Sequence, residues 1–199
     1  MGRAGGSPLH VILMTANLSP DEILKAEFDY IAHTVFQANE DRSRATSFYL
    51  LTFSSFIAAI ISYQLDQKLS GSWVDWGFAV LFLILASMGL LTVLQLARLR
   101  MAWYESVQAL NQIKEYYIAQ NNEITAAFAW RGTSAKKFKT NSVGFMLVIQ
   151  VALLGGAALG TAAFFTIRAI QSESWFIPCL LVGLVFFLWQ LDIYRSKLK

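Results

Sequence analysis

Apolar positions along the chain gather into four long runs, and the polar stretches beside them carry apolar residues only at helical spacing. Residues 45–65, 76–97, 142–167 and 174–191 contain no Asp, Glu, Lys or Arg. Each run is about 18 to 26 residues, close to the roughly 20 that a helix needs to cross a hydrocarbon core about 30 Å thick. The pattern predicts an all-α integral membrane protein with four transmembrane helices in two hairpins, at 45–65 and 73–97 and at 142–168 and 174–194. A polar block at 98–141 divides the two apolar halves, and residues 195–199 form a short tail.

The helical pattern also runs outside the apolar segments. Ser19-Pro20-Asp21-Glu22 is a helix-start signal, with Ser as N-cap, Pro in the first helical position and Glu three residues after the cap. Leu24, Phe28, Ile31 and Val35 follow at alternating spacings of four and three, giving an amphipathic helix over 19–44. Trp103, Val107, Leu110, Ile113 and Tyr117 repeat that spacing after the second span. The two stripes predict an antiparallel seam between helical extensions of spans 1 and 2. No Gly or Pro falls in 21–70 or in 90–131, so neither extension has a local break from its span, and Gly132 is the expected C-terminal cap. Trp73, Trp76 and Trp175 are expected interfacial anchors. Residues 1–18 are Gly-rich and expected to be disordered, with Met14 the better natural start.

Composition sharpens this picture through the positions of its charges. The chain of 199 residues is 56% hydrophobic and only 15% charged, too little charge for an all-round solvated surface. Of the 16 Lys and Arg residues, all but Lys68 and Arg168 fall on one side when the loops are placed alternately in and out. By the positive-inside rule both termini and the central block are expected in the cytoplasm, at the plasma membrane. The basic pI therefore reports orientation, and no nucleic-acid partner is expected. Lys136, Lys137 and Lys139 beside the third span form an expected lipid-headgroup cluster.

Catalytic chemistry is not assembled in the sequence. Cys179 is the single cysteine, His10 and His33 the only histidines, and no carboxylate accompanies a nucleophile or a Gly-rich loop. No enzyme activity, cofactor or metal is expected. Thr52, Ser55, Thr92, Gln95, Gln150 and Gln190 fall in the cytoplasmic part of the spans and are expected to form an intramembrane polar layer of interhelical hydrogen bonds. Ala152, Gly156 and Gly160 recur every four residues, a small face that another helix, of this chain or a second copy, can approach closely.

The run ANEDRSRATSFYLLTFSSFIAAI at the entry to the first span, with Trp103, Ser106, Leu110, Asn111 and Lys114 after the second, resembles the RipA-like octameric membrane proteins and the related SLATT domains. The likeness covers residues 38–117. It implies a cytoplasmic helix, a two-span hairpin and a second cytoplasmic helix, in an oligomeric pore-forming effector. The chain adds a second apolar hairpin to that plan.

Together these readings give the expectation of a non-enzymatic membrane protein that self-associates and engages a cytoplasmic partner through its helical hairpin, as a pore or signalled effector. The alternative is a small accessory subunit of a larger membrane complex. Reporter fusions at Ser70 and Ser172 test the topology: both are expected to report the outer side, and cytoplasmic reporter activity at either site refutes it.

Overall fold

A computed structural model of the chain describes residues 19–65, 71–128, 136–170 and 176–199. Four helices dominate: α1 (Pro20–Leu65), α2 (Ser72–Gln120), α3 (Val143–Ala169) and α4 (Phe176–Lys197), with a 3-10 turn at Asn122–Ala127 after α2. All four are long and apolar enough to cross a membrane. Among the described residues there is no strand. The expectations placed on residues 1–18, on the turns at 66–70 and 171–174, and on Gly132 and Trp175 lie outside the described residues.

Local chemistry explains the helix ends. The Ser19 amide donates to Glu22 Oε2 at 3.0 Å and the Glu22 amide donates to Ser19 Oγ at 3.2 Å, the reciprocal capping box that starts α1. α1 then runs unbroken for 46 residues, about 69 Å, more than twice the thickness of a hydrocarbon core. α2 starts after Gly71, whose φ of 149° is open to glycine and strained for any residue with a β-carbon. It ends at Gln120, well short of the expected end at Gly132. Asn121 is the reason: it takes an extended conformation, its amide donates to the Tyr117 carbonyl, and its side chain accepts from the Glu123 amide. An Asn side chain that bonds its own local backbone competes with the helix ladder, so Asn121-Asn122 stops α2 without any Gly or Pro. Ser142 caps α3, its Oγ accepting from the Phe145 amide at 3.2 Å.

The helices pack as a chain-ordered bundle in which the α2–α3 contact is the most extensive, ahead of α3–α4 and α1–α2. The apolar halves on either side of the polar block are therefore joined face to face along α2 and α3. One core cluster holds Tyr49, Val93, Leu96, Phe145, Val148, Val151 and Tyr194. A second, toward the other end, holds Phe78, Phe82, Leu85, Ala158, Ala162 and Phe165.

Close approach depends on small residues. A β-carbon at Gly156 would lie 2.7 Å from the Gly183 carbonyl oxygen, one at Gly160 would lie 2.9 Å from the Cys179 carbonyl oxygen, and one at Gly183 would lie 2.6 Å from the Gly156 oxygen. The small face at Ala152, Gly156 and Gly160 thus packs backbone to backbone on α4 of the same chain. On the other side of α3, a β-carbon at Gly89 would lie 2.7 Å from Tyr49 Oη and 3.2 Å from the Gly155 α-carbon.

Backbone carbonyls cannot yield as a flexible side chain can. Gly156→Ala and Gly183→Ala are each expected to destabilise the protein by about 1–3 kcal/mol, the usual range for overpacking. Gly77, where a β-carbon meets nothing within 4 Å, is the control. Gly77→Ala should be neutral or slightly stabilising, and thermal unfolding in detergent separates the three. Wild-type melting of Gly183→Ala contradicts the contact.

Candidate functional site at the basic end of the bundle

The end of the bundle formed by residues near 42, 100, 138 and 195 collects cations and aromatic rings. It begins with the stripe of α1. Ile31 and Ala38 are buried on that stripe, Tyr49 is fully buried further along, and Arg42 lies between them with only 8% of its surface exposed. The Arg42 Nη1 atom sits over the first turn of α3, where a β-carbon on Gly144 would lie 3.2 Å from it. Its carbonyl accepts from Thr46 Oγ1 at 3.0 Å, so the backbone here is occupied within α1. The Arg42 Nε and Nη2 atoms are buried and have no hydrogen-bond partner among the described residues.

Arg100 continues the stripe of α2, four residues after the buried Leu96 and three before Trp103, and it too is 8% exposed. Its guanidinium is satisfied: Nε donates to the Lys137 carbonyl at 2.9 Å and Nη2 to the Lys136 carbonyl at 2.7 Å. It also stacks 4.3 Å from the centre of the Trp103 ring. Arg100 thereby holds the Lys136–Lys137 backbone against α2. Lys137 leans toward the Tyr104 ring, and Lys136 and Lys139 are exposed. Phe138 packs edge-on against Phe145, 5.3 Å between ring centres, and Arg195 covers both rings from α4.

This is a concentration of positive charge. Burial pushes the Arg42 guanidinium below its ordinary pKa, with the like charge of Arg100 adding to the effect. Burial also lowers that of Arg100. The first turn of α3, the positive end of its dipole, capped by Ser142, lies against Arg42 through Gly144. The nearest acidic neighbour in sequence that forms an ion pair, Glu40, is engaged with Arg44 at 3.1 Å on the exposed side of α1.

The opposite end carries a different charged pair. Arg168 at the end of α3 donates from Nε to Asp75 Oδ1 at 2.9 Å and from Nη2 to the same oxygen, and Ser72 Oγ donates to the Ala169 carbonyl at 3.0 Å. The Asp75 side chain is 11% exposed and that of Arg168 is 49% exposed. Asp75 lies in the first turn of α2, just before the charge-free run 76–97. Its partner is 93 positions away, beyond the reach of a reading by spacing.

The polar side chains of the spans are arranged differently from the expected interhelical layer. Thr52, Ser55 and Thr92 each donate to the carbonyl four residues back in their own helix, those of Phe48, Leu51 and Met88. A Ser or Thr hydroxyl finds that acceptor without any neighbour, and so needs no layer. Gln95 and Gln150 are exposed on the bundle surface. Of the six, only Gln190 crosses between helices: it is fully buried, and its Nε2 lies 3.5 Å from the Ala152 carbonyl. Of the seam residues, Ile31 and Ile113 are buried, while Leu24, Phe28, Val35, Trp103, Val107, Leu110 and Tyr117 are half-buried. α1 packs mainly on α2. Trp73 and Trp76 are exposed near the Asp75 end. Among the described residues, no three His, Cys, Asp or Glu side chains come together as a metal-holding group.

Arg42 and Arg100 are the site residues that sequence reasoning passed over. In the sequence both count only toward the charge asymmetry, although each occupies a stripe position where an apolar residue is the norm. Comparison with protein-family models, with curated proteins and with solved structures finds no match.

The Asp75–Arg168 pair can be tested directly. Arg168→Met leaves the mostly buried Asp75 carboxylate without its partner and is expected to destabilise by about 1–3 kcal/mol, toward the low end because Arg168 is half-exposed. Asp75→Asn combined with Arg168→Met should recover part of that loss, because no lone carboxylate then remains buried. A double-mutant cycle on detergent melting temperatures reads the coupling, and strictly additive effects refute the pair.

Proposed function

We propose that the chain is a non-enzymatic multi-span protein of the plasma membrane, with both termini cytoplasmic, that self-associates and engages a cytoplasmic partner through paired extensions of α1 and α2. Its mode of action in this reading is that of a pore or signalled membrane effector. The observation that carries the reading is the uncovered surface of α1. This helix is far longer than a bilayer is thick, and along its span Phe48, Leu51 and Ile61 are exposed in the single chain. Lipid or a second copy can cover those.

Outside the span, lipid is no longer available. Tyr30 is 69% exposed and Phe36 71% exposed on the N-terminal part of α1, with Ile23 seven residues before Tyr30 on the same face. Ile23 and Tyr30 share one face and Phe36 lies about 120° around the helix, so the uncovered apolar surface is broad, of the kind a protein contact covers. The resemblance of residues 38–117 to oligomeric RipA-like and SLATT membrane domains supports the same reading. The exposed amides of Gln95 and Gln150 add polar groups on the bundle surface that a neighbouring protomer could satisfy.

Mass photometry of the detergent-purified protein tests this. A discrete homo-oligomer is expected, and Tyr30→Ser with Phe36→Ser should weaken partner capture or shift the assembly to smaller mass while the melting temperature stays near wild type. A monomer that copurifies in fixed ratio with other membrane subunits would replace this reading with that of an accessory subunit.

A further inference from the structure

Arg42 presents a specific edge of its guanidinium without a partner. Nε and Nη2 lie on the same side of the planar group, and their N–H bonds run parallel, the fork that grips two oxygens of one tetrahedral or carboxylate anion. Both atoms are buried and without a hydrogen-bond partner among the described residues, while the third nitrogen, Nη1, rests on the Gly144 turn. The residue as a whole is more than nine-tenths buried. A buried cation in this state is strongly unfavourable unless an anion meets it.

The surroundings narrow the anion. α3 aims its N-terminus at the same place, capped at Ser142, and Arg100 lies close enough to perturb Arg42 electrostatically. Arg100 in turn holds the backbone of Lys136 and Lys137, so the 136–139 cations stand at this end of the bundle. No carboxylate among the described residues bonds either arginine. Several positive groups converging with a bidentate fork and a helix N-terminus favour an anion with more charge and more oxygens than a single carboxylate.

We propose that Arg42, seated on the first turn of α3 beside Arg100, is the centre of a binding site for a phosphate group. The phosphate is carried either by an anionic phospholipid at the cytoplasmic leaflet or by a soluble phosphate compound. The lipid source rests on the membrane reading above, whereas the soluble source does not, and neither depends on self-association.

The test compares wild type with Arg42→Met and Arg44→Met, which remove the same charge two residues apart. Arg44 is exposed and paired with Glu40, outside the site. Arg42→Met also removes the unpaired buried charge, so it is expected to fold. If it does not accumulate, Arg42→Lys serves instead, since an ammonium cannot form the parallel fork. Binding of phosphatidylglycerol is read by native mass spectrometry, with phosphatidylcholine as the zwitterionic reference. Stabilisation by inorganic phosphate is read as a melting shift against chloride at equal ionic strength.

Phosphatidylglycerol binding that falls roughly tenfold or more in Arg42→Met, the loss of a charge-assisted hydrogen bond, and persists in Arg44→Met assigns the site to lipid. A phosphate-dependent melting shift that disappears in Arg42→Met and survives in Arg44→Met, without lipid selectivity, assigns it to a soluble phosphate. Equal binding by wild type and Arg42→Met, equal loss in both variants, or no response to either probe overturns the proposal.

Discussion

All four helices converge on the Gly155–Gly156 pair of α3. On one side, Gly155 meets Gly89 of α2, where Tyr49 of α1 also inserts its ring and donates from Oη to the Leu85 carbonyl at 3.3 Å. On the other, Gly156 meets the backbone of Gly183 in α4, and a β-carbon on Gly155 would lie 2.9 Å from Gln190 Nε2. Between helices in lipid there is little hydrophobic drive, so the binding energy comes from dispersion and from the few polar contacts that close approach allows. Two adjacent residues without side chains let α3 touch both neighbours at backbone distance. The buried cores at the two ends of the bundle follow from that central contact, because it fixes the separation that Phe145, Val148 and Val151 must fill on one side and Ala158, Ala162 and Phe165 on the other.

Much of this was readable from local pattern. The capping box at Ser19, the turn at Gly71, the four apolar helices and the small face at Ala152, Gly156 and Gly160 each rest on residues within a few positions of one another, and the backbone responds to them locally. What the sequence left open was which partner the small face meets, since residues on α3 alone do not distinguish α4 from a second copy. The end of α2 was misjudged for a local reason: Asn121 stops the helix through its own side chain, a weaker signal than Gly or Pro. Asp75 and Arg168 were hidden for another, because the two lie on different helices and each alone reads as an interfacial charge.

The polar residues of the spans show the limit of counting by depth. Position along the membrane normal groups Thr52, Ser55, Thr92, Gln95, Gln150 and Gln190, but depth carries no information about direction around each helix. A Ser or Thr in a helix always has the carbonyl four residues back within reach, so its presence implies no neighbour. A Gln has no such intrahelical acceptor in easy geometry. Of these six, Gln190 alone is both buried and aimed at α3, and its Oε1 has no hydrogen-bond partner among the described residues. Direction is set by the glycine contacts, because the α3–α4 approach turns Gln190 inward.

Arg42 shows how one polar residue can set the register of an otherwise uniform stripe. From Leu24 to Tyr49 the buried side of α1 repeats at spacings of three and four, so apolar packing alone would tolerate a slide by one heptad at modest loss. Arg42 does not tolerate it. Its guanidinium fits over Gly144 because that residue has no β-carbon. A slide by one heptad, about 10 Å, would take the buried cation off that glycine. The residue that is least favourable to bury thereby specifies where α1 sits on α3.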